Sequence, residues 1–370
     1  MTASNALVLY STQIIRDSAA DSETEEMVHR ASRIAGLGMY VPARVLTNFD
    51  LERMVDTSDQ WIRERTGIRE RHIAADHETT STMGTEAAKG ALEVAHLDPA
   101  DLDLIIAATT TPDAIFPPVS SFIQDGLGAK RAATLDINTT CVGFISGLAT
   151  ASQFIATGIY ERALVVASDT LSRIVDWTDR GTCVLFGDGA GAMVLEAADR
   201  GGPLSFVLRS DGSGASVLYT PGPCGRPGSA VPGQYFMKMD GQPVFKFAVN
   251  AMERATREAL ASAGLTVEDV DLFVPHQANL RILTATVRAL RLPREKTMVN
   301  IDRYGNTSSA SIPIALHEAW QQGRLHEGDR VVLAAFGGGL VWGAMVLEWT
   351  AVGPLGAQKE AQAHVVTGGS

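Results

Sequence analysis

LDLIIAATT, ALVVASD, TCVLFGDGAGAMVLE, DLFVPHQ and RVVLAAFGGGLVWGAMVLEW are apolar runs spread along this chain, and stretches of helical spacing separate them. Short continuous apolar runs belong to strands covered on both faces, because a half-exposed strand alternates instead. The helical stretches are TSTMGTEAAKGALEVA, with Thr at its start, VFKFAVNAMERATREALASAG, which ends at Gly264, and NLRILTATVRALRL. Strands and helices that alternate in this way predict an α/β protein with buried sheets. TCVLFGDGAGAMVLE predicts a hairpin about Gly-Asp-Gly, and the last run predicts two strands about a triple glycine.

The 370 residues, 45% of them hydrophobic, suffice for one large or two intimately joined domains. Residues 1–30 are polar and carry the acidic run DSETEE; they read as an N-terminal extension, in part helical. Regular structure is expected from SRIAGLGMYVPARVLTN onward. An N-terminal half over 31–200 and a C-terminal half over 201–350 follow, then a tail over 351–370. Each half runs from a helix to an apolar strand with a reactive-looking residue at its end, then to a glycine-turned hairpin, an order that suggests duplication. TPGPCGRPGSAVPGQ reads as a surface loop.

Composition excludes several functions. No apolar run reaches about 18 residues, so no membrane-spanning helix is expected. ALVLY near the start lacks the basic lead of a secretion signal. Cys141, Cys183 and Cys224 are too few and too scattered for a disulfide framework or a zinc cluster, so no metal and a reducing cytoplasm are expected. A net charge of −11 argues against a nucleic-acid partner. It leaves room for an acidic partner recognised by a local basic patch.

Cys141 lies in DINTTCVGFISGL, between a predicted strand (TLDIN) and a predicted helix with Ile145, Leu148, Ile155 and Ile159 near one face. A helix N-terminus favours a thiolate and offers free N–H groups to an oxyanion. Taken alone, Cys141 reads first as a buried structural cysteine. His276 in FVPHQAN and Asn306 in GNTSSAS have bland readings too: a hydrogen-bonded core histidine, and a turn or cap residue. Gly337–Gly339 is a tight turn or a close backbone approach to substrate. GDGAGA (Gly187–Ala192) lacks the Lys-Ser/Thr of a phosphate loop and reads as structural.

TTCVGF, HQANLRI, GNTSSAS and FGGGLVWG, with TSDQWIRERTGIRERHI and DRGTCVLFGDGAGA, stand in the order and spacing of one family. Over roughly residues 31–350 the chain resembles β-ketoacyl-acyl-carrier-protein synthase III, the initiating condensing enzyme of type II fatty-acid synthesis. The resemblance implies a thiolase-like fold of two similar halves layered α-β-α-β-α, and a homodimer. It implies a catalytic Cys141, His276 and Asn306, with the N–H groups of Cys141 and Gly338 as oxyanion hole. The implied reaction joins an acyl-CoA primer to malonyl-ACP through an acyl-cysteine, giving 3-oxoacyl-ACP, CO2 and CoA without a cofactor.

The same matches assign Trp61 and Arg180 to the CoA adenine, and Thr57 and Arg65 to the nucleotide and its phosphates. Gly241, Phe245 and Asn279 line the pantetheine tunnel in the family; Gln242 stands where the family often has Asn. Lys246, Arg281 and Arg288 are candidates for acidic ACP, the two arginines seven residues apart on one helix. Phe116 matches a position that bounds the acyl pocket across the dimer, and its bulk implies a short primer such as acetyl. Asn306 separates the chain from Cys-His-His elongating enzymes, and FGGGLVWG lacks the second cysteine of thiolases. Two other readings stay open: a pathway-specific ketosynthase with another primer or acceptor, and a non-catalytic thioester-binding scaffold.

Overall fold

The computed structural model describes residues 30–222, 235–350 and 352. The extension to residue 29, Cys224 with most of the Gly/Pro-rich loop, and the tail except Val352 lie outside them.

Two mixed sheets form the frame. The first contains β1 (Ala31–Tyr40), β2 (Leu104–Ala108), β3 (Ala133–Ile137), β4 (Arg162–Asp169) and β5 (Gly189–Ala198), in the order β1-β5-β4-β2-β3. The second contains β6 (Gly202–Ser210), β7 (Leu272–Pro275), β8 (Arg330–Gly337) and β9 (Val341–Glu348), in the order β6-β9-β8-β7. In the first sheet β2 runs parallel to both β3 and β4, while β5 is antiparallel to β4 and β1. In the second, β7 is parallel to β8, and β9 is antiparallel to β8 and β6. A lone parallel bridge from Phe273 to Thr297 stands where β3 stands in the first sheet. Order and direction therefore repeat strand for strand, which is the similarity of halves expected from the sequence.

The seven longer helices are α1 (Asp59–Thr66), α2 (Thr80–Ala95), α3 (Val119–Leu127), α4 (Gly143–Ala156), α5 (Gly241–Ser262), α6 (Leu280–Leu290) and α7 (Ser311–Gln321). Helices α2 and α3 cover the outer face of the first sheet, and α5 and α6 the outer face of the second. Helices α4 and α7 lie between the sheets, in a core shared by both. The result is five layers, α-β-α-β-α. Phe144, Ile145 and Leu148 of α4 are wholly buried in the middle layer; each contributes about 1.5–3 kcal/mol by leaving water.

Two local expectations are corrected. TCVLFGDGAGAMVLE contains one strand, β5, preceded by turns over 181–185 and an isolated parallel bridge from Phe186 to Asn306, not by a second strand. Its apolar VLF run is buried against a separate cluster that includes Leu51, Ile62 and Ile68, and the buried Arg71 guanidinium donates to the Val184 carbonyl at 2.7 Å. Burial made this run look like a strand, but its backbone bonds go elsewhere. Ile159 does not extend the apolar face of α4, because the helix ends at Ala156 and Gly158 turns the chain at φ 75°. Ile159 is 61% exposed.

Candidate active site

Parallel strands bring loops together at their carboxyl ends, where open α/β sheets place their sites. Cys141 follows β3, His276 follows β7, and the Gly337–Gly339 turn begins on the last residue of β8. A short helix over Ile301–Tyr304 then presents Asn306 through Gly305. These loops enclose a cavity of about 550 Å³ lined by Cys141, His276, Asn306, Gly338, Gly241, Phe245 and Asn279. Two expected groups, one around the cysteine and one for pantetheine, thus share one chamber.

Cys141 sits in a single 3-10 turn over Thr140–Val142 that runs directly into α4. Thr140 adopts a left-handed φ of 47°, which is uncommon outside glycine. Its hydroxyl donates to the Gly338 carbonyl at 3.1 Å and ties the cysteine turn to the glycine turn. Gly337 must be glycine here: a Cβ would lie 2.1 Å from Thr140 Oγ1 and 3.0 Å from the Cys141 nitrogen. Among the described residues, the N–H groups of Cys141 and Gly338 have no backbone acceptor. They remain available to an oxyanion.

Electrostatics correct one expectation. The helix terminus alone favours a thiolate, yet half-buried Cys141 faces the cavity, and desolvation there pushes its thiol up to about 12. A contact to Ser308 Oγ at 3.6 Å acts in the lowering direction, while the charge of Asp169 raises it further. Desolvation wins over the terminal N–H groups. The surroundings therefore favour the thiol form of Cys141.

His276 is buried, and burial lowers its pKa to about 3, so the imidazole is neutral across working pH. Its Nδ1 lies 2.7 Å from Ser311 Oγ, which also accepts the Gln277 N–H at 3.3 Å. Among the described residues the Ser311 hydroxyl has no other acceptor, so donating to Nδ1 satisfies it and leaves the ring proton on Nε2. Asn306 is oriented in a comparable way. Its Oδ1 accepts the Ser308 N–H at 2.9 Å, so the NH2 end is left free of protein partners among the described residues. Two neutral donors thereby join the cavity that holds the cysteine.

The two donors are also braced from behind. Gln277, 1% exposed, donates to the Pro275 and Met298 carbonyls and accepts from the Asn300 N–H at 3.1 Å. Glu318 on α7 accepts from Asn300 Nδ2, Arg303 and Tyr304, fixing the short helix that leads to Asn306. Neutral donors predict a flat pH response. If the chain carries out the reaction that the resemblance implies, decarboxylation of malonyl-ACP should vary less than about twofold between pH 5.5 and 8.5, measured as CO2 release. A fall with a midpoint near the ordinary imidazole value would mean that His276 titrates in use.

Trp61, Arg65 and Arg180 gather outside the chamber. Ser58 caps α1 by accepting the Trp61 N–H at 3.1 Å, and Gly67 ends the helix at φ 81°. The guanidinium of Arg65 lies 4.9 Å from the Trp61 ring centroid and that of Arg180 lies 5.3 Å from it. A flat aromatic guest between Trp61 and Arg180 needs about 7 Å, two stacking distances, so this slot has to open. Thr57 Oγ1 beside it is buried without a partner. Gly67 packs on Leu280, which sets α1 beside the start of α6. There Asn279 caps α6 through the Arg281 N–H at 2.9 Å, and Arg281 lies 5.7 Å over the Phe245 ring. Lys246, Arg281 and Arg288 are exposed, and Gln242 is exposed in the first turn of α5.

Phe116 does not line this cavity and is 82% exposed, next to Ile115 at 70%. Sequence reasoning missed Ser308, Ser311, Thr140 and Gln277, because hydroxyl and amide side chains in turns carry no distinguishing pattern. It also missed the apolar wall formed by Leu171, Ile174, Leu218, Met237 and Met239. Those residues are far apart in sequence and meet only in the fold.

Comparisons with known proteins agree with the geometry. Residues 135–212 match the model of 3-oxoacyl-[acyl-carrier-protein (ACP)] synthase III, and residues 260–349 match its C-terminal model. The chain is 54% identical over 321 residues to beta-ketoacyl-[acyl-carrier-protein] synthase III of Symbiobacterium thermophilum, covering 85% of this chain and 97% of that protein. A crystal structure of 3-oxoacyl-[acyl-carrier-protein] synthase III from Aquifex aeolicus superposes with a TM-score of 0.81 at 47% identity, covering 86% of this chain and all of the other. The priming beta-ketosynthase of the R1128 polyketide pathway gives a TM-score of 0.81 at 37% identity, covering 87% and 97%. With two thirds of its length and more aligned at such identities, the chain belongs to the β-ketoacyl-acyl-carrier-protein synthase III family.

Proposed function

We propose that this chain condenses an acyl-CoA primer with malonyl-ACP, initiating fatty-acid synthesis as a cofactor-free acyltransferase. The observation that carries this reading is one cavity holding a cysteine, a neutral imidazole and an oriented amide. Cys141 attacks the acyl-CoA thioester, and the N–H groups of Cys141 and Gly338 receive the oxyanion. The C–S bond to CoA breaks, and the proton lost by the thiol ends on the CoA sulfur. Malonyl-ACP then loses CO2, and the electron pair of the broken C–C bond moves into an enolate. His276 and Asn306 donate to that enolate oxygen. The enolate carbon attacks the acyl-enzyme, a C–C bond forms, the bond to Cys141 breaks, and solvent returns a proton to the sulfur.

Trp61 and Arg180 hold the adenine once the slot opens, Arg65 and Thr57 the rest of the nucleotide, and Gly241, Phe245 and Asn279 the pantetheine arm. Lys246, Arg281 and Arg288 form the landing site for acidic ACP near the mouth. The reading includes a homodimer, which the sheet edge at β3 with Leu135 exposed, and the exposed Ile115 and Phe116, support. Phe116 of each protomer then bounds the partner's acyl pocket and favours a short primer. We place the enzyme in the cytoplasm, and the boundary between its halves near residue 200. No helix among the described residues is long and apolar enough to cross a membrane.

The second reading, a pathway-specific priming ketosynthase, is favoured by Gln242 and by the likeness to the R1128 enzyme. Mixing the protein with acyl-CoAs of increasing length and recording intact mass separates the readings. We expect one acyl group per chain, acetyl or a similarly short group loading fastest, and none on Cys141→Ala. Loading only of long or unusual acyl groups would favour the second reading. No loading by any acyl-CoA would refute both.

A further inference from the structure

Glu318 lies on α7 behind the cavity wall and is only 7% exposed. Its Oε2 accepts from Asn300 Nδ2 at 2.7 Å and from Arg303 Nη2 at 3.0 Å. Its Oε1 accepts from Arg303 Nη1 at 2.5 Å and from the Tyr304 hydroxyl at 2.8 Å. All three donor residues belong to the short helix over Ile301–Tyr304 or to its cap. A helix of four residues has too few internal bonds to hold its own place. Asn300 shows where the hold comes from. Asparagine at a helix N-cap ordinarily accepts from the first-turn N–H groups. Here its side chain makes no cap bond, and its amide turns to Glu318 instead.

Two branches leave this carboxylate. On one, the Asn300 N–H donates to Gln277 Oε1, and the Gln277 N–H donates to Ser311 Oγ, the hydroxyl on His276 Nδ1. On the other, Tyr304 and Gly305 lead straight into Asn306. Ser311 and Glu318 are seven residues apart on α7, hence on one face and about 10 Å apart along its axis. One helix therefore addresses His276 from its first turn and Asn306 from two turns later. Asn306 has a separate hold on its other side. Its N–H donates to the Leu185 carbonyl at 2.9 Å, and its carbonyl accepts the Gly187 N–H at 3.0 Å. That second hold limits what loss of Glu318 can do.

We propose that Glu318 is a positioning residue for decarboxylation, setting the spacing of the His276 and Asn306 donors from one helix, with no part in acylation of Cys141. An enolate oxygen accepts from both donors at once, so their separation decides how well its charge is stabilised. The turns of Cys141 and Gly338 are tied to each other through Thr140, by a bond that does not pass through Glu318. The proposal rests on the condensation reaction proposed above. An ion pair of this kind also bears on stability, so the readout has to separate the two roles.

The test measures acyl loading of Cys141 by intact mass, CO2 release from malonyl-ACP, and thermal melting on the same preparations. Whichever way the amide of Glu318→Gln turns, its NH2 faces an Arg303 N–H. This variant should lower kcat for CO2 release about tenfold, with KM for malonyl-ACP and acyl loading each within about twofold of the parent. Tyr304→Phe removes one of the four bonds and keeps the ring; it should lose about threefold. In an Asn306→Ala background the further loss from Glu318→Gln should shrink to about threefold or less, since one of the two donors it spaces is gone. A parallel fall in loading and CO2 release overturns the proposal, because general loosening would then suffice. So does an undiminished kcat in Glu318→Gln, or a further loss in the Asn306→Ala background as large as in the parent. A parent that loads no acyl group or releases no CO2 refutes the condensation itself, and the positioning role with it. Should Glu318→Gln not fold, Asn300→Ala and Tyr304→Phe decide on the same readouts: selective loss of CO2 release in both supports the proposal, and parallel or absent loss overturns it.

Discussion

Replacing either His276 or Asn306 with alanine should lower malonyl-ACP decarboxylation by about 10²–10³, while each variant still takes an acyl group onto Cys141. The magnitude is that of removing one preorganised donor from a developing oxyanion, about 3–4 kcal/mol. It applies here because each donor is fixed before substrate arrives: Nε2–H through Ser311, and the Asn306 NH2 through the Ser308 N–H. The two steps separate because, in the proposed mechanism, acylation uses the N–H groups of Cys141 and Gly338 instead. CO2 release and intact mass, measured on the same preparations, distinguish them. Undiminished decarboxylation in both variants would remove the reason for placing them at the enolate.

The second large effect is at the glycine turn. Gly337→Ala should cut acylation of Cys141 by about 100-fold or more, the scale of losing an oxyanion donor. A Cβ there would meet Thr140 Oγ1 at 2.1 Å and the Cys141 nitrogen at 3.0 Å, so the turn, the threonine or the nucleophile has to move. Overpacking of this kind also costs about 1–3 kcal/mol of stability, seen as a lower melting temperature. Gly212→Ala is the control, because a Cβ at that position meets nothing within 4 Å. Normal acylation in Gly337→Ala would show that the close approach of the two turns is dispensable.

What the sequence disclosed depends on how local each signal is. The runs that became β2, β4, β7, β8 and β9 were legible because burial on both faces leaves them continuously apolar. TSTMGTEAAKGALEVA carried its own boundaries, with a threonine cap before it and matching spacing within. The VLF run misled because distant groups take its backbone: Arg71 bonds the Val184 carbonyl, and Asn306 pairs with Leu185 to Gly187. Cys141 was legible as a strand-to-helix cysteine, but its protonation state was not, since the desolvating walls come from distant loops. His276 and Asn306 drew their meaning from the family resemblance. Ser308 and Ser311 act through side chains whose partners lie far off in sequence, so no spacing marks them.

The central claim is that an acyl group on Cys141 is the species that malonyl-ACP attacks, and a chase experiment tests it most directly. Acyl-enzyme is prepared with labelled acyl-CoA, freed of CoA, and mixed with malonyl-ACP in a single turnover. Label should leave Cys141 and appear in 3-oxoacyl-ACP at the same rate, with one CO2 released for each product. Label that stays on Cys141 while CO2 is released, or product formed by Cys141→Ala, would contradict the claim.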